Sequence, residues 1–231
     1  MIVDSMGYEE IAAEFQSDYK SEIEPKLFVT FGMEAKYRRY LMKEAKNGEL
    51  IFFKPIKLTS KKGNNYIIQY YCEGWAGYKR NNLIYFIYLY YHRPDGLYAV
   101  LHAEARDATR FMFYTPHFFD RYRERCMDDV TVPKLQVIQQ CFRYNHNFAV
   151  TPIDSEKYKD NVLSTLKEGI GLGNYITPLI IEFRTFVSLD MMKEDQAEMM
   201  KENHPFMLRG IEYERSIINK MVRAYKAMGY S

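Results

Sequence analysis

Hydrophobic positions change their period along the chain, and the changes mark the elements. Over residues 5–23, Ile11, Phe15 and Tyr19 recur every fourth position with acidic residues between them, the spacing of one helix face. Pro25 either ends that helix or opens the next. Residues 26–46 are helical again, with Leu27, Phe31, Ala35 and Leu41 on the apolar side. Asn47-Gly48 supplies a stop, because glycine takes the left-handed geometry that ends helices.

From residue 50 the period becomes two. Residues 50–58 read as a strand that Pro55 confines to a sheet edge or a bulge, since proline cannot donate to a ladder. Residues 61–65, Lys-Lys-Gly-Asn-Asn, form a hairpin-like turn into a strand over 66–73, and Gly74-Trp75-Ala76-Gly77 reads as a loop. Residues 82–92 are rich in Ile, Tyr and Phe, a strong strand signal. Arg93-Pro94-Asp95-Gly96 turns the chain into a strand over 97–105, and 110–114 adds a short one. The expected result is a β-meander with aromatic side chains on both faces.

Thr115-Pro116 then opens a helix to residue 127, Thr as the cap and Pro at the first helical position, where its missing N–H has no partner anyway. A second helix over about 132–144 places Leu135, Ile138 and Phe142 on one side. Strand patterns follow at 148–153, 162–167, 170–176 and 179–187. Ser188 is a cap for a helix over 190–202, His204-Pro205 a break, and residues 206–228 a last helix ended by Gly229. The fold class this implies is α+β: an antiparallel β-sheet with helices at both chain ends and a central helical pair. Residues 1–231 are expected to form a single domain, or, if subdivided, a helical hairpin with β-meander over 1–112, a core over 113–188 and C-terminal helices over 189–231.

Composition adds little to fold and more to partners. The chain has 231 residues, 47% hydrophobic and 27% charged, with 21 tyrosines against one tryptophan. It is long enough to bury a sizeable core. A net charge of +2, from 32 basic and 30 acidic residues, is no footprint of general nucleic-acid affinity, so any such binding needs a local patch. The helix over 26–46 offers Lys36, Arg38, Arg39, Lys43 and Lys46, either a solvated face or a surface facing nucleic acid. Cys72, Cys126 and Cys141 are odd in number and lack C-x-x-C spacing, so free thiols in a reducing, cytoplasmic compartment are expected. The first ten residues carry no secretory pattern, and the longest apolar run, 83–91, is too short to span a bilayer, so no membrane partner is expected.

The candidate chemistry sits on the helix over 116–127. At about 100° per residue, His117, Arg121 and Arg125 fall within an arc of roughly 80°. That stripe borders the apolar side of Phe118, Phe119, Tyr122 and Cys126, leaving Asp120, Arg123 and Glu124 outward. It is either an ordinary amphipathic helix whose arginines make ion pairs, or an anion site with a titratable imidazole at one end. Other motifs fail. Gly169-Ile-Gly171-Leu-Gly173 breaks the dinucleotide spacing and is read as a turn or bulge between strands. His102-Ala-Glu104 lacks the cysteine half of a zinc deaminase signature, and the five histidines form no H-x-x-x-H pair. No metal or cofactor is expected. Cys126 and Cys141 read as packed thiols.

His117-x-x-x-Arg121-x-x-x-Arg125, the second helix and the strands through Glu182-Phe-Arg184-Thr-Phe-Val187 together resemble small domains related to the RelE-type ribonuclease toxins. There an H-x-x-x-R-x-x-x-R helix leads into a second helix and an antiparallel sheet. The resemblance covers roughly residues 113–188 and implies metal-free RNA cleavage by attack of the ribose 2′-OH on phosphorus. It implies His117 as the catalytic proton-transfer residue and Arg121, Arg125 and Arg184 as substrate-binding residues, with Tyr114 and Tyr122 near by. RNA or another phosphate-bearing ligand would be the partner. The competing readings are a non-enzymatic module, whose aromatic sheet and terminal helices engage a protein or a second copy, and a fold relative with a small-anion pocket. The oligomeric state is not encoded in these patterns.

Overall fold

The computed structural model describes residues 1–31, 34–44, 50–79, 83–104, 109–127, 129–146, 148–153, 160–194 and 196–198. They group into two units: residues 6–87 with Met1–Ile2, and residues from Tyr88 onward with Val3–Ser5. The chain passes from one to the other within strand β4 (Ile84–Arg93). The fold class is α+β, helices with a large, mostly antiparallel sheet.

In the first unit, α1 (Tyr8–Asp18) starts where the Gly7 amide donates to Glu10 Oε2 at 2.7 Å, satisfying one of the orphan donors of a helix end. Its buried face is Ile11, Ala12 and Phe15. A π-helical turn (Tyr19–Ile23) leads directly into α2 (Glu24–Phe31), so Pro25 opens a helix and does not break one. The Glu24 amide reaches back to the Tyr19 carbonyl, a wider turn placed where a regular one would press the proline ring against the carbonyl four residues back. Then α3 (Glu34–Glu44) buries Tyr37 and Leu41. The Asn47-Gly48 stop lies outside the described residues.

Strands β1 (Leu50–Phe52) and β2 (Ile56–Thr59) both pair antiparallel with β3 (Asn65–Glu73). Pro55 interrupts one edge strand as expected, while the Phe53 amide still donates to the Tyr70 carbonyl at 3.0 Å. Gly63 turns the hairpin at φ 83°, a left-handed conformation that costs glycine little. The turn is clamped to α1. Tyr66 OH and Asn64 Nδ2 each donate to the buried Asp18 carboxylate at 2.8 Å, and Lys62 Nζ lies 2.7 Å from Glu14. The Lys62 hydrogen bond, helped by Asn64 and the N-terminal amine, holds the Glu14 carboxyl at about 2 against the opposing cost of burial. One expectation fails here: Gly74-Trp75-Ala76-Gly77 is not a loop but the start of α4 (Gly74–Lys79), where packing against β3 and α3 outweighs the local glycine signal.

In the second unit, β5 (Gly96–Glu104) and β6 (Thr109–Tyr114) continue the meander from β4. After α5 (Pro116–Cys126) and α6 (Lys134–Tyr144) come β7 (Ala149–Pro152), β8 (Val162–Leu166), β9 (Gly169–Thr177) and β10 (Ile180–Ser188). The strand order is β4-β5-β6-β10-β9-β8-β7. The pairs β5–β6, β7–β8, β8–β9 and β9–β10 are antiparallel, whereas β6 and β10 run parallel with Ile180 opposite Phe111 and Glu182 opposite Phe113. The sequence suggested no parallel pair because consecutive strands are joined by short turns. This pair is not consecutive, and the whole stretch through α5, α6 and β7–β9 serves as its long connection.

Ser188 makes no side-chain cap, and a short 3-10 turn (Leu189–Met191) follows it; helical residues resume at 194 and 196–198. The rest of the helix expected over 190–202, the break at His204 and the helix over 206–228 lie outside the described residues. No helix among the described residues is long and apolar enough to cross a membrane. Cys72, Cys126 and Cys141 are free thiols.

Gly169-Ile-Gly171-Leu-Gly173 is strand β9, and its glycines make room for neighbours. A Cβ at Gly171 would stand 3.1 Å from the Phe118 ring of α5 and 3.4 Å from Phe183. Gly171→Val is therefore expected to cost about 2 kcal/mol through overpacking, measured as a lower denaturation midpoint. An unchanged midpoint would show that α5 does not depend on this clearance.

Candidate functional site

Helix α5 begins as its sequence dictates. The Phe118 amide donates to Thr115 Oγ1 at 3.3 Å, and Pro116 occupies the first turn. The Thr115 hydroxyl in turn donates to the Arg184 carbonyl at 3.2 Å, tying the helix start to β10. Phe118, Phe119 and Tyr122 are fully buried. Tyr114 packs with its ring centroid 4.9 Å from Phe118 and 5.1 Å from both Phe142 and Phe183. The apolar side of the helix is thus the side the spacing indicated.

The basic stripe is on the helix, but its members are held separately. His117 is exposed in the first turn. Arg121 Nη1 pairs with Glu124 Oε2 at 2.8 Å, both side chains well exposed. Arg125 Nη1 donates to the Phe186 carbonyl of β10, tethering the last turn of the helix to the sheet. Arg184 Nη2 pairs with Asp160 Oδ1 at 2.6 Å. Each arginine has its own partner.

Asp120 and Arg123, expected on the outward side, work between the two helices. Asp120 Oδ1 accepts from Arg123 Nη2 at 3.1 Å and from Lys134 Nζ in the first turn of α6, and Lys134 also reaches the Pro116 carbonyl at 3.2 Å. A wheel drawn for one helix carries no information about where a second helix will lie, so the bonds of Asp120 and Arg123 to α6 and its approach were not foreseen, while Glu124 is exposed as expected. Two further polar residues had no sequence signal. Tyr122 OH donates to Glu168 Oε2, which also receives Asn145 Nδ2 at 3.5 Å, and Asn145 Oδ1 accepts from the Lys167 amide at 2.8 Å. These are partners brought in by β8–β9 and the end of α6, joined only by the fold.

The titratable groups set limits on chemistry. Burial pushes the Tyr122 phenol far above its ordinary range, with the Glu168 hydrogen bond adding to it, and burial raises Tyr114 likewise. Desolvation lifts the Cys126 thiol to about 12 and Cys141 well above its usual value, so neither is a thiolate nucleophile near neutrality. Desolvation also depresses His102 to about 4, which keeps that imidazole neutral inside β5. Among the described residues, no group of three or more His, Cys, Asp or Glu side chains could hold a metal ion.

The arginines should separate by role in stability measurements. Arg125→Ala removes a charged donor from a part-buried carbonyl and is expected to cost about 2 kcal/mol. Arg121→Ala breaks only an exposed i,i+3 pair and should cost less than about 0.5 kcal/mol. Equal and negligible losses in chemical denaturation would mean that Arg125 is not a tether.

Comparison with family models, with curated proteins and with solved structures finds no match to this chain, so its site stands on its own geometry.

Proposed function

We propose that this chain is a non-enzymatic binding module, that Arg125 and Arg184 serve the fold, and that the stripe with His117 and Arg121 carries out no reaction. The observation that carries this reading is the separation of the cations: Arg121 on Glu124, Arg125 on the Phe186 carbonyl, Arg184 on Asp160. Cleavage of a phosphodiester needs donors aimed at one phosphoryl group as its charge develops, and stabilisation of that kind depends on preorganisation. Here two of the three guanidiniums already satisfy groups on other segments. Tyr114 and Tyr122 are buried, with phenols too weakly acidic to trade protons near neutrality. Residues 66–72 of the aromatic strand β3 are all buried, so that strand offers no binding face.

One observation favours the ribonuclease-like reading. His117 is exposed in the first turn of α5, and the neighbouring Arg121–Glu124 pair lies at the surface, where ion pairs open at little cost. The resemblance of residues 113–188 to RelE-type toxins supports it as well. His117 would then transfer the proton, and Arg121, Arg125 and Arg184 would hold phosphate. Incubation of the purified protein with single-stranded and structured RNA in EDTA separates the two. No cleavage above the protein-free blank is expected. Cleavage that disappears in His117→Ala, with the melting curve unchanged, would overturn the binding-module reading and establish the enzyme.

A further inference from the structure

The first unit carries a charged surface that the α5 analysis does not use. On α3, the buried residues Tyr37 and Leu41 fix which side faces inward. At about 100° per residue, Arg38, Met42, Arg39, Lys43 and Tyr40 then fan across the opposite arc. All five are exposed, Met42 at 73% and Tyr40 at 44%. The acids of this helix, Glu34 and Glu44, stand at its two ends. Among the described residues, none of Arg38, Arg39, Lys43 and Lys79 enters a salt bridge.

Beside this ridge lies Trp75 of α4, the single tryptophan in the chain. The Arg38 guanidinium carbon lies 5.6 Å and the Lys79 ammonium 5.7 Å from its ring centroid. A half-buried indole is thereby bracketed by two cations at the rim of a cationic helix face. A solvated face explains the charges alone. It does not explain why the tryptophan is packed with cations from two helices.

We propose that the face formed by α3 and α4 binds single-stranded nucleic acid. Arg39 and Lys43 take backbone phosphates, and bases stack against the Arg38–Trp75–Lys79 cluster. The chemistry is the combination that single strands require: positive charge tracking the backbone and flat π surfaces, including arginine planes, that accept any base. An acidic protein would satisfy the charges but not the indole. A duplex would keep its bases stacked inside and unavailable. The inference rests on the binding-module reading and names its partner. With a net charge of only +2, the patch must supply the affinity locally.

Because Trp75 is the sole tryptophan, intrinsic fluorescence reports on the site directly. The test titrates the full chain with a short oligouridylate, a matching oligothymidylate, a duplex of the same length and heparin over a salt series. Wild type and Arg39→Ala/Lys43→Ala are compared after melting curves show that both are folded. Either single strand is expected to quench Trp75, with the two arms telling RNA from DNA. The double variant should bind about tenfold more weakly. Two phosphate contacts should give a log–log salt slope of about −1.4, falling toward zero in the variant. If heparin binds as tightly as the single strands, the face is a general polyanion site and the proposed partner is wrong. Equal binding by the variant moves the site elsewhere, and absence of binding to any single strand overturns the proposal outright. None of these results touches the binding-module reading, which falls only if RNA is cleaved.

Discussion

The second unit depends on the packing of helix α5 against strand β10 over an aromatic seam. Phe118 and Tyr122 on the helix meet Phe186, with ring centroids 6.0 Å and 5.2 Å away, and Tyr114 stacks 5.1 Å from Phe183. Aromatic pairs at such separations add geometry to buried area. The seam closes only because β9 presents Gly171 beneath Phe118. It also bears on the parallel pairing: β10 lies beside β6, and Thr115, at the junction of β6 and α5, bonds the Arg184 carbonyl of β10.

That constraint gives one member of the basic stripe a partner in the sheet. Positions at i, i+4 and i+8 that border an apolar face are well placed to reach a cleft, and equally well placed to reach the sheet the face is packed on. Arg125 does the second, on the carbonyl of Phe186, a residue of the seam itself. Arg184 is drawn to Asp160 before β8. His117 and Arg121 keep their exposure at the N-terminal half of the helix.

Much of the fold was legible because periodicity is local. The strand expected over 66–73 is Asn65–Glu73, and the helix expected over 116–127 is Pro116–Cys126. Pro55 marked an edge because the missing N–H acts at its own position. What could not be read was set at a distance. Trp75 sits in a helix whose glycines suggested a loop, since β3 and α3 supply the packing. The parallel pairing concerns strands that are not consecutive. The partners of Arg184, Tyr122 and Arg125 lie 24, 46 and 61 residues away, so these residues were visible but not their partners.

The central claim is that the α5 stripe carries out no reaction while the α3–α4 face binds a partner. NMR titration of the isotopically labelled chain with a short single-stranded RNA addresses both halves in one experiment. Shifts concentrated at Arg38, Arg39, Lys43, the Trp75 indole and Lys79, with His117, Arg121 and Arg125 silent, are what the account requires. Shifts at His117, Arg121 and Arg184 with a silent Trp75 indole would contradict it and return the function to the helix over 116–126.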